Sequence, residues 1–125
     1  MAIEEKDRLG SLLKYEADKN YCREVVTIAV GQNLKMGSVV GIKSEDDTCK
    51  MVSIAEDETD GSDVPFGVLL EDVDATSAAK QGLLVARDAI VIDSALVYPN
   101  GATADQKKAI QKALEKRGIV ARSVA

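Results

Sequence analysis

The fold is decided by Tyr21-Cys22-Arg23-Glu24-Val25-Val26-Thr27 and its continuation, Gly31-Gln32-Asn33-Leu34-Lys35-Met36-Gly37-Ser38-Val39-Val40-Gly41. Residues 23–30 are rich in Val, Ile and Thr, whose branched side chains suit a pleated, half-buried surface, so they read as a strand. Gly31 and Asn33 mark a turn and Gly37-Ser38 a second one. Val39 to Ile42 follows as a short strand. Upstream, Leu12-Leu13-Lys14-Tyr15-Glu16 sits in a densely charged stretch that Gly10 and Ser11 interrupt. Residues 1–20 therefore read as a mobile arm, and residues 21–125 as one β-rich domain. The arm keeps Leu9, Leu12, Leu13 and Tyr15, which have no evident local partners.

Further along, Cys49 to Ala55 reads as a strand in which neither face is cleanly polar, so it is expected to be covered on both sides or to lie at an interface. Glu56 to Asp63 is a solvated acidic loop. Val64 to Leu70 is a strand, with Pro65 at an edge or a strand start because it donates no ladder hydrogen bond. Asp74 to Gln81 is a loop or one helical turn. Leu83–Ala86 and Ala89–Ile92 are two more strand pieces. One helix is expected at about 103–117. Thr103 is its N-cap and Gln106 completes a capping box. Ala109, Ile110, Ala113 and Leu114 share a face at helical spacing. Gly118 is the left-handed C′ residue, letting Ile119 pack back on Leu114. A last strand spans Ile119 to Val124. The fold class is mainly β: a small β-clip-like or β-barrel-like domain with one helix in its C-terminal region. There is no strand–helix alternation of the doubly wound kind.

Composition narrows the function. The 125 residues suit one domain. Sixteen basic against twenty-one acidic residues give a net charge of −5, which argues against a nucleic-acid partner and an anionic membrane surface. No segment has the run of about 18 apolar residues that spans a bilayer. Met1 to Arg8 is charged and lacks the apolar core of a signal peptide, so the expectation is a protein made and kept in a cytoplasm. Cys22 and Cys49 are read as small buried hydrophobes rather than a redox pair.

Chemistry is poorly provided for. The chain has no histidine, which removes the commonest general base and the triads built on it. Two isolated cysteines do not make a zinc site, and no glycine loop is built to cradle phosphate. Glu56, Glu58, Asp60 and Gly61 fall at positions one, three, five and six of an EF-hand-like spacing. Position twelve is Gly67, where a bidentate carboxylate belongs, so a solubilising loop is the better reading. Glu71, Asp72 and Asp74 could in principle divide acid and base roles, but a turn accounts for them. Tyr15 and Tyr21 are either core-edge packing or interface anchors. Two classes remain: a structural binding protein, or a small β-barrel or clip-like enzyme or ligand-binding module. The missing histidine, the lack of a convergent polar cluster and the arm favour the first.

The order of these segments resembles the head decoration proteins of tailed bacteriophages, the lambda-type capsid-stabilising family. The resemblance is carried by Leu12 to Glu16, Tyr21 to Thr27 and Gly31 to Gly41. It continues at Val64-Pro65-Phe66-Gly67-Val68-Leu69-Leu70-Glu71-Asp72-Val73-Asp74-Ala75, Tyr98-Pro99-Asn100-Gly101-Ala102-Thr103 and Gly118-Ile119-Val120-Ala121-Arg122. It implies a β-clip-like domain that forms a homotrimer and binds the major capsid protein at three-fold positions on the outside of the expanded head. There it resists the pressure of packaged DNA. It also implies a virion protein assembled in the host bacterial cytoplasm, with no cofactor, no metal and no small-molecule substrate. The arm would be mobile when free and ordered on the capsid, with Leu9, Leu12, Leu13, Lys14, Tyr15 and Glu16 as the capsid-binding residues. The charged extension from Ile3 to Arg8 departs from the simplest family pattern.

Overall fold

A computed structural model describes residues 12–54 and 60–123. Among the described residues ten strands and one principal helix are formed, so the domain is mainly β as expected. Five strands close a barrel in the order β2 (Arg23–Ile28), β5 (Cys49–Met51), β4 (Val39–Ile42), β6 (Pro65–Leu69), β8 (Lys80–Val85). Beside it lies a three-stranded sheet in the order β1 (Leu13–Glu16), β9 (Ala89–Ile92), β10 (Ile119–Arg122), in which β9 and β10 run parallel. A two-stranded ribbon, β3 (Gln32–Leu34) with β7 (Val73–Ala75), completes the set. A helical turn, α1 (Lys19–Cys22), leads into β2, and α2 (Ala104–Glu115) packs on β10 and β6.

Two apolar cores follow from this layout. Ile28, Leu34, Val40, Cys49, Leu69, Val73 and Leu84 form one of them. Val39, Val52, Val68, Val85, Val91, Ile110, Leu114 and Ile119 form the other, beneath α2 and the three-stranded sheet. Alternation along strands explains the division: Val39 and Val68 belong to one core, Val40 and Leu69 to the other. In β4 the backbone comes so close to the 60–62 turn that a Cβ at Gly41 would collide with the carbonyl of Ser62, a contact only glycine permits.

Helix α2 begins as its sequence requires. The Thr103 hydroxyl accepts from the Gln106 amide at 3.2 Å, and the Gln106 side chain accepts from the Thr103 amide at 2.8 Å. At the other end the left-handed residue is Gly118, φ +83°. The cap is Lys116, so Gly118 stands one position beyond C′. Ile119 and Leu114 share one core, as expected.

The arm differs from expectation. Residues 1–11, Leu9 among them, lie outside the described residues, but residues 12–20 are built into the domain. β1 pairs antiparallel with β9, Leu13 opposite Val91 and Glu16 opposite Ala89. Leu12 is 0% exposed, and its carbonyl accepts from the Ile92 amide at 2.8 Å. The physical reason is that the apolar side chains of the segment do have partners, but in β9, some seventy-five residues further on in the chain. Reading the segment by itself could not supply them.

The 49–55 stretch is also reinterpreted. Only Cys49–Met51 is strand, and Ala55 falls outside the described residues. Cys49 and Met51 face the barrel core, while Val52 and Ile54 face the other. Its lack of a polar face is satisfied within the chain, so it no longer argues for a subunit interface. Residues 74–75 end β7, 76–79 form a loop as one of the two expectations had it, and 80–81 begin β8.

Candidate capsid-binding surface

Of the six residues expected to touch a capsid, Leu9 lies outside the described residues and the other five separate into different environments. Leu12 is core, and Leu13 packs partly against the same core. Glu16 accepts two hydrogen bonds from the Arg23 guanidinium, at 2.9 and 2.6 Å, in a bidentate pair that ties β1 to β2. Lys14 and Tyr15 remain exposed, Tyr15 by 56%. Among the described residues β1 is an edge strand, paired with β9 on one side only, and its other side presents main-chain groups to which a further strand can add. Leu12 is thus held in the core, while Lys14 and Tyr15 are exposed on β1.

A second feature was not singled out in the sequence. Tyr21, exposed by 58%, lies under the Arg87 guanidinium at 5.1 Å, and Arg87 also donates to the Tyr21 carbonyl and to Glu24, the latter at 3.2 Å. Arg117 stacks over Phe66 at 4.5 Å and donates to the Ala86 carbonyl at 3.2 Å. Burial lowers the pKa of Arg117, the neighbouring Arg87 charge lowers it further, and Glu24 acts in the opposite sense. No local motif marks this cluster, because its members come from α1, β2, β6 and the ends of β8 and α2.

The carboxylates tested for chemistry hold the backbone instead. Asp60 accepts from the Ser62 amide at 3.0 Å and from its hydroxyl at 2.5 Å, and meets the Lys50 ammonium at 3.2 Å. These contacts, Ser62 foremost, bring its pKa down to about 2. Asp74 receives the Thr76 hydroxyl at 2.6 Å and its amide at 3.1 Å, and Asp46 does the same for Thr48, so both are shifted down. Glu71 accepts from the Leu83 amide and Asp72 from the Met36 amide. The i-to-i+2 contacts of Asp46, Asp60 and Asp74 are Asx-type caps that fix turns, whereas Glu71 and Asp72 tie distant segments together. Residues 56–58, the start of the EF-hand-like spacing, lie outside the described residues. Among the described residues no group of three or more acidic or cysteine side chains is placed to hold a metal. Cys22 and Cys49 are both free and buried. They lie in different cores, and burial pushes the Cys49 thiol up to about 11. Among the described residues no helix is long and apolar enough to cross a membrane.

The described residues form a closed barrel beside a three-stranded sheet with an open edge, and Asp46, Asp60 and Asp74 cap turns. The family model described as bacteriophage lambda head decoration protein D matches residues 2–119, nearly the whole chain, and the chain belongs to that family. This is a class of structural capsid component and not an enzyme class. No curated protein matches the chain.

Proposed function

We propose that the protein adds to the outer surface of the expanded phage head as a homotrimer at three-fold positions and stabilises the shell against the pressure of packaged DNA. The observation that carries this reading is the family match over residues 2–119, which implies binding to a phage capsid. The partner is the major capsid protein, and assembly takes place in the host bacterial cytoplasm. The contact begins in residues 1–11, with Leu9, and continues over Lys14 and Tyr15 along the open edge of β1. An extended segment on a sheet edge gains main-chain hydrogen bonds while alternate side chains enter pockets. Three such contacts per trimer add avidity that a single weak contact lacks.

The test is a truncation that stops short of the core. Deleting residues 2–11 leaves Leu12 and β1 in place. The shortened protein is expected to keep its melting temperature and oligomeric state but to lose co-sedimentation with expanded heads. Decoration equal to that of the full chain would overturn the proposed role of the segment.

A further inference from the structure

We propose that Arg87 and Arg117, together at one end of the barrel, form a carboxylate-binding site into which a second copy of this chain docks. The inference rests on the homotrimer reading and adds to it the contact that joins the copies. Both arginines lie where β8 ends, beside the starts of β2 and β6, and the Arg87 guanidinium reaches the Tyr21 carbonyl and Glu24. Arg117 donates to the carbonyl of Ala86, and Arg87 is the next residue. Each is held against an aromatic ring, Tyr21 or Phe66, at 5.1 or 4.5 Å. Glu24 is, among the described residues, the one carboxylate that forms a salt bridge with either, and it meets Arg87. The terminal nitrogens of Arg117 have no acceptor among the described residues. Two positive charges thus share one negative charge, with their planes already oriented. A planar fork of donors fits a carboxylate in two-point fashion, and stacking reduces the freedom lost when it binds.

Charge complementarity selects the occupant. The chain is acidic overall, at −5. Asp47, Asp63, Asp105 and Glu115 are exposed, and among the described residues no ion pair or side-chain hydrogen bond engages them. Each copy therefore offers what the site lacks. A carboxylate of one copy entering the arginine site of the next is a head-to-tail contact, which closes into a ring under cyclic symmetry. Tyr and Arg are also the residue types most enriched where binding energy concentrates at protein interfaces.

The experiment is sedimentation of the full-length chain over a concentration series, at low and high salt, for the wild type, Arg117→Gln and Glu24→Gln. Arg117→Gln is expected to weaken association roughly tenfold or more and to flatten its salt dependence, since a paired interfacial charge is lost. Glu24→Gln removes the competing carboxylate and leaves both arginines in place. It is expected to tighten association and steepen its salt dependence, and it keeps the test sharp if Arg117→Gln fails to fold. Unchanged association in both folded variants, with the wild type trimeric, overturns the site and leaves the trimer standing. Unchanged association accompanied by weaker head decoration assigns the arginines to the shell and also overturns it. A wild type monomeric at every concentration, and also present as single copies on decorated heads, removes the trimer reading itself.

Discussion

Replacing Leu12 by alanine separates a packed segment from a mobile one. Leu12 is 0% exposed and belongs to the core that includes Val91, Leu114 and Ile119. Truncating a buried leucine loses the transfer energy of three carbons and leaves a cavity, which costs about 2–5 kcal/mol. Neighbouring side chains relax partly into such a gap, and a value of about 3 kcal/mol is taken within that range. For a domain of this size that lowers the melting temperature by roughly 10 °C. Calorimetry or denaturant unfolding of the isolated protein reads it directly. Tyr15→Ala, on the exposed side of β1, is the control and is expected to change stability by less than about 1 kcal/mol. If Leu12→Ala melts with the wild type, residues 12–16 are unpacked in the free protein and the pairing of β1 with β9 forms only elsewhere.

Four other outcomes follow from the same contacts. Gly41→Ala forces the β4 backbone away from Ser62 and is expected to cost more than the 1–3 kcal/mol typical of overpacking, as read by chemical denaturation. Gly118→Val puts a β-branched residue at φ +83° and is expected to destabilise by about 1 kcal/mol or more; an unchanged unfolding midpoint would contradict the positive φ. The depressed carboxyl of Asp60, near 2, contributes stability that is complete above the ordinary carboxylate range and disappears as pH falls toward 2. A melting-temperature profile from pH 5 to 2 should therefore be flatter for Asp60→Asn than for the wild type. Calcium or a chelator is expected to leave the melting temperature unchanged, because Ser62 and Lys50 already occupy the Asp60 carboxylate; a tight calorimetric calcium signal would refute that.

Local chemistry was legible wherever the determinants lay close together in sequence. The capping box of Thr103 and Gln106, the apolar face of Ile110 and Leu114 and the left-handed Gly118 are all short-range signals, and the structure contains each of them. The strands at 23–28, 39–42 and 89–92 announced themselves through runs of β-branched residues. What escaped depended on distant partners. Leu13 to Glu16 is too polar and too short to look like a strand until β9 is beside it. Gln32–Leu34 resembled a turn because Asn33 favours one, yet pairing with β7 makes it a ribbon. The arginine site draws on Tyr21, Glu24, Phe66, Arg87 and Arg117, and no spacing along the chain brings those five together.

The central claim is tested most directly by electron cryo-microscopy of expanded heads incubated with the full-length protein. The account predicts added density at the three-fold positions on the outer surface, with three copies of the barrel around each axis. Heads that stay bare at saturating protein, or carry single copies away from the three-fold axes, would contradict it.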